Sequence, residues 1–136
     1  RVYSLFFDKQ APEIQDQIQK LVEVNPYQLS IQEYTYLANE IQRYTPCNTL
    51  IFGLGNDSPL WHQINARGQT IFLEHNQEWY EKILSNNPHL TSYFIHYHTV
   101  LSDWERLLHQ DEANLAIELP CEVMQTRWDV IFVEND

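Results

Sequence analysis

Two of the chain's three glycines lie two residues apart, between an apolar run and the start of a helix. Gly53 and Gly55 follow residues 50–52, an uninterrupted apolar run of the kind that a parallel strand covered on both faces requires. Ser58 then offers a hydroxyl N-cap, and Pro59 suits the first helical position. A glycine turn at this point lets a ligand approach the backbone, and the helix N–H groups add a partial positive charge. The pattern predicts a loop that holds a nucleotide-like cofactor, and the candidate binding residues are Phe52, Gly53, Gly55, Asn56, Asp57 and Ser58.

A second strand pattern, at residues 69–74, ends in a carboxylate. Glu74 lies 21 residues after Gly53. In Rossmann-like sheets, an acidic residue at the tip of the second strand, about 20 residues after the glycine turn, accepts hydrogen bonds from ribose hydroxyls. The Gly-x-Gly spacing lacks the third glycine of the dinucleotide fingerprint, so the spacing alone is weak evidence. The glycine turn and the carboxylate together predict a cofactor site that includes Glu74 and the adjacent His75.

Helical patterns precede the first strand. The apolar residues of the segment 12–24 fall at helical spacing, and Asn25-Pro26 is expected to end this helix. Ser30 and Glu33 form a capping-box pattern that opens a second helix, whose apolar stripe is Tyr34, Leu37, Ala38, Ile41 and Tyr44. Residues 1–45 are therefore predicted to be an N-terminal helical layer that covers the sheet. Tyrosines of this stripe suit either a sugar ring or simple packing.

Strand and helix patterns alternate after the second strand. Asn76 is predicted to cap a helix that Asn86-Asn87-Pro88 ends, and residues 92–100 are predicted to form the third strand. Ser102 begins a second capping box and a short helix. The segment 111–127 has no clear period and is predicted to be loop, with one short strand near residues 115–119. Residues 128–133 are predicted to form the fourth strand.

This alternation predicts an α/β fold, a Rossmann-like and mostly parallel sheet with helices on both faces. Ligands of such sheets bind beyond the carboxyl ends of the strands. Residues 46–136 are expected to form the N-terminal part of this binding domain. The residues expected to gather at its ligand edge are Gly53, Asp57, Glu74, His98 and Glu134.

The charge balance excludes some partners. Nineteen acidic and eight basic residues give a formal net charge of −11. Nucleic acid is not an expected partner, because phosphate binding depends on clustered lysine and arginine. The same charge repels an acidic polymer at long range. A neutral acceptor, or a basic segment elsewhere in the protein, would remove that repulsion.

The cysteine content and the hydropathy of the chain indicate which cellular compartment to expect. Cys47 and Cys121 are too few and too far apart for a disulfide framework or a zinc ribbon, so both are expected to be reduced and buried. No apolar run reaches the roughly 18 residues of a membrane helix. The only methionine is Met124, so an upstream signal or anchor is compatible with the chain. A cytoplasmic protein is the default expectation.

The block that contains the glycine turn also resembles a known family. Residues 45–58 with Trp61, the strand end at residues 72–74, and Trp79 resemble the polysaccharide-biosynthesis family of glucuronoxylan 4-O-methyltransferases and irregular-xylem xylan proteins of plants. The resemblance runs from about Ser30 to the last residue and is most specific over residues 46–61. Asn56 stands where we expect histidine in that family, and His98 where we expect aspartate.

The resemblance implies a class I methyltransferase fold that binds S-adenosyl-L-methionine, and methyl transfer to O4 of glucuronic acid on a xylan-like glycan. It also implies a Golgi location if an N-terminal anchor is present. The family pattern continues beyond residue 136 with further strands, so the resemblance implies a sheet that is interrupted after its fourth strand. A fully apolar fourth strand would leave an exposed edge. We therefore expect either a longer protein or a partner that covers this strand.

Methyl transfer to a hydroxyl needs positioning and a base that takes the hydroxyl proton. Glu134 and Asp136, after the fourth strand, are the candidate catalytic bases, with His98 as the alternative. His96 and His98 share a strand face, but they have no clear third ligand, so no metal site is assigned.

Two other functions fit the same residues. One is a non-catalytic, glycan- or cofactor-binding member of the fold that supports polysaccharide biosynthesis. The other is an NAD- or nucleotide-sugar-binding domain, because an acidic second-strand tip suits those riboses as well. The expected acceptor of the leading function is a glycan or another small hydroxyl-bearing molecule.

Overall fold

A computed structural model describes residues 11–96 and 119–133, which form a four-stranded parallel sheet with helices on both faces. Five helices and four strands are described, in chain order: α1 Pro12–Val24, α2 Ile31–Tyr44, β1 Asn48–Phe52, α3 Ser58–Ile64, β2 Gln69–Glu74, α4 Gln77–Asn86, β3 Thr91–Phe94, α5 Cys121–Gln125 and β4 Val130–Val133. The α/β class, the parallel sheet and the helices on both faces confirm the fold expected from the sequence.

The sheet has the strand order β3-β2-β1-β4. All three strand pairs are parallel, with Ile51 opposite Phe72 on one side and Phe132 on the other. The chain therefore reverses its direction of winding between β1 and β4. In doubly wound sheets this reversal opens a crevice at the carboxyl ends of the two strands.

The larger hydrophobic cluster lies on the face of the sheet that α1, α2, α3 and α4 cover. Trp61 of α3 is fully buried at its centre, with its ring against Tyr34 of α2 and edge-on to Phe132 of β4. Burying an aromatic side chain of this size contributes on the order of 3 kcal/mol, judged from large-to-small core substitutions. This packing fixes α2 and α3 relative to the ends of β1 and β4.

The two N-terminal helices form as the sequence predicts. α1 has the predicted bounds, and Asn25 ends it by donating its backbone N–H to the Leu21 carbonyl. At the start of α2 the capping box is complete: the Glu33 N–H donates to Ser30 Oγ, and the Ser30 N–H donates to Glu33 Oε1, each at 3.2 Å. The stripe differs in one residue, because Tyr44 is half exposed at the helix end.

A smaller hydrophobic cluster on the opposite face contains Leu50, Ile71, Leu73, Ile95 and Val123. Val123 belongs to α5, a helix in a segment that was predicted to be loop. That prediction was wrong because five residues are too few to display a helical period, and no side chain caps the helix start. Trp128 holds α5 to β4 by donating its indole N–H to the Val123 carbonyl at 2.9 Å.

The buried amide of Asn65 connects three elements at the end of the sheet opposite the glycine turn. Its Oδ1 accepts from the Thr45 hydroxyl at 2.7 Å and the Cys47 N–H at 3.2 Å. Its Nδ2 donates to the Cys47 carbonyl and the Thr70 hydroxyl, each at 2.9 Å. The amide thus joins the end of α3 to the starts of β1 and β2.

Several predicted boundaries need correction. Ser58 is the first residue of α3 rather than its N-cap, so Pro59 occupies the second position, where a missing N–H is also tolerated. The third strand is described as Thr91–Phe94, the Ile95 N–H donates to the Glu74 carbonyl beyond it, and residues 97–100 of the predicted strand lie outside the described residues. The fourth strand begins at Val130 rather than at residue 128.

Cys47 is buried as expected, but Cys121 is exposed, because it begins the short helix α5. The predicted helix after Ser102 and the predicted strand at 115–119 fall outside or at the border of the described residues. Within residues 11–96 and 119–133, no helix has both the length and the apolar character needed to cross a membrane.

Candidate functional site

The glycine turn, residues 53–57 between β1 and α3, has a backbone that only glycine adopts readily at its first position. Gly53 has φ = 128°, in the region that side chains disfavour. Its N–H donates to the Leu73 carbonyl at 2.7 Å, which continues the pairing of β1 with β2. Gly55 is buried, and a Cβ added there would lie 3.0 Å from Asp57 Oδ1. Both glycines of the predicted loop therefore serve the shape of the turn.

Glu74, at the end of β2, points towards this turn and is only 2% exposed. Its Oε1 accepts from the Leu54 N–H at 3.0 Å. Its Oε2 accepts from the N–H groups of His75 at 3.0 Å and Asn76 at 2.9 Å. An ionised carboxylate offers about four acceptor positions. Three are used here, so Glu74 holds the turn in place and keeps acceptor capacity for one more donor.

The carbonyl of the same Leu54 residue is held from α4, since the indole N–H of Trp79 donates to it. Trp79 is placed by the N-cap of this helix, where Asn76 Oδ1 accepts from the Trp79 backbone N–H at 3.0 Å. The ammonium group of Lys82 lies 5.4 Å from the Trp79 ring centroid. Both backbone polar groups of Leu54 are therefore hydrogen-bonded, the N–H to Glu74 and the carbonyl to Trp79.

Asp57 and Ser58 complete the turn at the start of α3. The Gly55 N–H donates to Ser58 Oγ at 2.8 Å, so the hydroxyl that was predicted to cap the helix stabilises the turn instead. Asp57 is 6% exposed, and its Oδ2 accepts from the indole N–H of Trp61 at 3.0 Å. The core tryptophan thereby fixes the carboxylate of Asp57.

A cavity of about 450 Å³ opens beside the glycine turn, at the carboxyl ends of β1 and β4. This size suits a small-molecule ligand. The glycine turn and the carboxyl end of β4 provide the floor, while the α1–α2 connection, α2 and α4 provide the walls. The lining residues are Tyr27, Gln28, Leu29, Tyr34, Leu37, Leu54, Gly55, Asn56, Asp57, Trp79, Phe132 and Val133.

The charge in the lining of this cavity is of one sign, negative. Among the described residues that line it, Asp57 is the only charged one, and none is lysine, arginine or histidine. Four of them are aromatic: Tyr27, Tyr34, Trp79 and Phe132. Aromatic faces and a carboxylate attract a cation. The cavity therefore suits a neutral or positively charged ligand better than a pyrophosphate.

The predicted site residues occupy different places. Gly55, Asn56 and Asp57 line the cavity. Gly53, Ser58 and Glu74 shape the glycine turn but do not line the cavity. The exposed His75 side chain lies beside Glu74, with its Nδ1 3.6 Å from Glu74 Oε2. Phe52 packs against the smaller hydrophobic cluster on the opposite face of the sheet. Glu134, Asp136 and His98, the candidate bases, lie outside the described residues.

The sequence patterns did not assign the α1–α2 connection to the site, although Tyr27, Gln28 and Leu29 form one wall of the cavity. Their position depends on how the two helices pack on the sheet, which a local pattern does not report. Tyr34 and Trp79 carried a signal, the tyrosine of the apolar stripe and the tryptophan after the helix cap. Within residues 11–96 and 119–133, no three histidine, cysteine, aspartate or glutamate side chains group closely enough to hold a metal ion.

Comparison with known protein families gives one match. The family described as IRX15/IRX15L/GXM matches residues 32–118, which is more than half of the chain. The chain belongs to the IRX15/IRX15L/GXM family. This confirms the resemblance carried by the glycine-turn block and by Glu74.

Curated relatives of this IRX15/IRX15L/GXM chain come from Arabidopsis thaliana. Arabinogalactan O-methyltransferase 2 is 35% identical over 79% of the chain and 43% of the relative, and Glucuronoxylan 4-O-methyltransferase 2 is 33% identical over 82% and 43%. Protein IRREGULAR XYLEM 15 is 26% identical over 80% and 40%. The chain thus spans about two-fifths of the length of these relatives. No solved structure matches it.

Proposed function

We propose that this chain forms the S-adenosyl-L-methionine-binding part of an O-methyltransferase that acts on a polysaccharide. The family membership and the names of the relatives support the reaction class. The observation that carries the proposal is the cavity between the glycine turn and α2, which is aromatic and whose only charged residue among those described is Asp57.

The residues present fit this cofactor. Its sulfonium group is a cation, which aromatic faces and a carboxylate attract, and no described cation in the lining opposes it. Its ribose hydroxyls are donors, and Glu74, which holds the turn without lining the cavity, keeps acceptor capacity for one of them. By contrast, the pyrophosphate of NAD or of a nucleotide sugar would face Asp57 without a lysine or arginine among the described lining residues. The charge therefore favours the methyl donor over the two nucleotide alternatives.

The residues around the cavity have different roles in the proposed function. When bound, S-adenosyl-L-methionine supplies the methyl group. Gly55 and Asn56 form the surface beside it, Asp57 and the aromatic residues stabilise positive charge, and Glu74 with Trp79 keeps Leu54 in place. These groups bind and orient, which is the main requirement of an in-line transfer.

The base that takes the acceptor's hydroxyl proton remains a prediction. Val133 lines the cavity, and Glu134 follows it in the sequence. This neighbourhood keeps Glu134 and Asp136 as the first candidates and His98 as the alternative. The acceptor is proposed to be a glycan hydroxyl, by resemblance O4 of glucuronic acid on xylan.

Calorimetric titration of the chain with S-adenosylhomocysteine and with NAD tests the cofactor. We expect micromolar binding of the former and no measurable binding of the latter. Binding of NAD alone would contradict the proposal and support the nucleotide alternative.

Methyl transfer itself needs a second measurement, because a non-catalytic member of the fold would also bind the cofactor. Incubation with radiolabelled S-adenosyl-L-methionine and glucuronic-acid-bearing xylo-oligosaccharides distinguishes the two. Incorporation of label into the oligosaccharide is the expected result for the catalytic protein. Binding without transfer, in a protein of the relatives' full length, would indicate the non-catalytic member.

A further inference from the structure

A second concave surface lies on α2, next to the cavity, and it is lined by Leu29, Gln32, Glu33, Tyr36 and Leu37. We call it the α2 groove, and its volume is about 310 Å³. Leu29 and Leu37 also line the cavity beside the glycine turn, so both spaces border these two side chains. We propose that the α2 groove binds neutral sugar residues of the acceptor glycan, an inference that rests on the proposed function.

The chemistry of the groove matches a carbohydrate. Tyr36 is 64% exposed although it belongs to a well-packed helix, so its ring is available to a ligand. A sugar ring offers an apolar C–H face and a rim of hydroxyls, which an aromatic face and polar side chains accommodate together. Gln32 and Glu33 supply amide and carboxylate groups beside the ring. Leu29 and Leu37 supply the apolar side chains of the lining.

The charge of the groove selects a neutral residue. Glu33 is the only charged residue among those described in its lining, and its carboxylate is held by the Ser30 N–H at 3.2 Å. A uronate placed there would meet a fixed negative charge without a cation. The whole chain, at −11, adds to this repulsion. The groove therefore suits the neutral units that flank a uronic acid in a mixed glycan.

The arrangement also gives the groove a role in the reaction. An acceptor must place one hydroxyl at the cavity while the rest of the polymer lies on the surface. Because the two spaces share Leu29 and Leu37, a glycan in the groove can extend one substituent towards the glycine turn. The neutral residues would supply affinity, and the substituent would supply the reacting hydroxyl.

Tyr36 and Tyr44 offer a matched pair of variants on one helix. Tyr44 is 50% exposed and lines neither space. Binding of an unsubstituted xylo-oligosaccharide is measured by calorimetry for the wild type, Tyr36→Ala, Tyr36→Phe and Tyr44→Ala. We expect Tyr36→Ala to weaken binding about tenfold, which corresponds to roughly 1.4 kcal/mol. Tyr36→Phe, which keeps the ring, and Tyr44→Ala are expected to stay within about twofold of the wild type.

A homo-oligomer of uronic acid tests the charge argument. We expect it not to bind the wild type measurably and to bind Glu33→Gln, which retains the capping box because glutamine also serves at this position. Tight binding of the uronate to the wild type through Tyr36 would overturn the assignment to neutral residues.

Titration of the same samples with S-adenosylhomocysteine separates this inference from the proposed function. If the cofactor product binds and the neutral glycan does not, or binds equally to Tyr36→Ala and Tyr44→Ala, the groove assignment is wrong and the cofactor site stands. If Tyr36-dependent glycan binding occurs without cofactor binding, the groove assignment stands and the proposed function fails.

Discussion

At the residue scale, two charged side chains near the glycine turn have different surroundings and different tasks. Glu74 accepts from three backbone N–H groups, those of Leu54, His75 and Asn76, so most of its hydrogen-bonding capacity maintains the turn. Asp57 accepts one indole N–H and lines the cavity. Asp57 is therefore the carboxylate whose charge acts most directly on a bound cation.

Replacing Asp57 by asparagine should weaken binding of S-adenosyl-L-methionine about tenfold, on the order of 1.4 kcal/mol. Asparagine keeps the shape and can still accept the Trp61 indole N–H, so folding should change little. S-adenosylhomocysteine lacks the sulfonium charge, and we expect its affinity to fall less than threefold. Calorimetry with both ligands gives the comparison, and equal losses for both would show that Asp57 acts through shape rather than charge.

Another prediction for a single residue concerns the protonation of His62 in α3, whose ring centroid lies 5.1 Å from that of His89. Burial, and to a smaller extent the neighbouring His89 imidazole, lower the pKa of His62 from its usual 6.5. The unfolded chain therefore binds this proton more readily than the folded one, and stability should decrease as the pH falls below about 6.5. NMR titration of the His62 ring should give a midpoint below 6.5 in the wild type and a higher one in His89→Asn. A midpoint that is unchanged in His89→Asn would assign the shift to burial alone.

At the element scale, the glycine turn is held between β2 and α4. The Leu54 N–H is bound by the last residue of β2, and the Leu54 carbonyl by the first turn of α4. Because these bonds involve separate elements, the shape of the turn depends on how both pack on β1.

Trp79→Phe keeps most of the ring area and removes the indole N–H that Leu54 uses. A buried carbonyl left without its donor costs about 1–3 kcal/mol. We expect a fall in urea unfolding free energy within that range and a several-fold loss of S-adenosylhomocysteine affinity. Lys82→Met, which removes only the ammonium group near the ring, is the control and should leave affinity unchanged. Affinity retained in Trp79→Phe would contradict the role assigned to this bond.

Gly68, at the opposite end of the sheet, allows the packing to be tested by a substitution that does not touch the cavity. A Cβ at Gly68 would lie 2.4 Å from the Cys47 carbonyl oxygen and 2.6 Å from its nitrogen, both backbone atoms. Gly68→Ala should therefore lower the free energy of unfolding by about 1–3 kcal/mol, the range for overpacking. Gly55→Ala meets only the Asp57 side chain, so it should cost less stability and more cofactor affinity. Urea unfolding and calorimetry on both variants check this, and the reverse ranking would count against the packing described at Gly68.

At the scale of the whole molecule, the order β3-β2-β1-β4 puts the crevice between β1 and β4, beside the glycine turn. In the described part of the chain β4 is an outer strand, and its Ile131 and Val133 side chains are exposed. The expectation that a further segment or a partner covers this strand remains a prediction. The N-terminal helices contribute a wall of the cavity, so the helical layer and the sheet form the site together.

The sequence predicted those parts of this arrangement that depend on local chemistry. The capping box of Ser30, the Asn76 cap and the strand–turn–helix at the glycines each involve residues close in the chain, and all three are present. The role of Ser58 was mistaken because a hydroxyl beside a turn can accept from either the helix or the turn. The positions of Tyr27 and Phe132 in the cavity lining depend on tertiary packing and had no local signal.

In the proposed function, the cavity beside the glycine turn holds the methyl-donor cofactor. A crystal structure of the chain with S-adenosylhomocysteine tests it directly. We expect the ligand to lie against Gly55 and Asn56, with its sulfur on the side of Asp57 and a ribose hydroxyl within hydrogen-bonding distance of Glu74. A ligand bound elsewhere on the chain, while the cavity contains only solvent, would contradict the account.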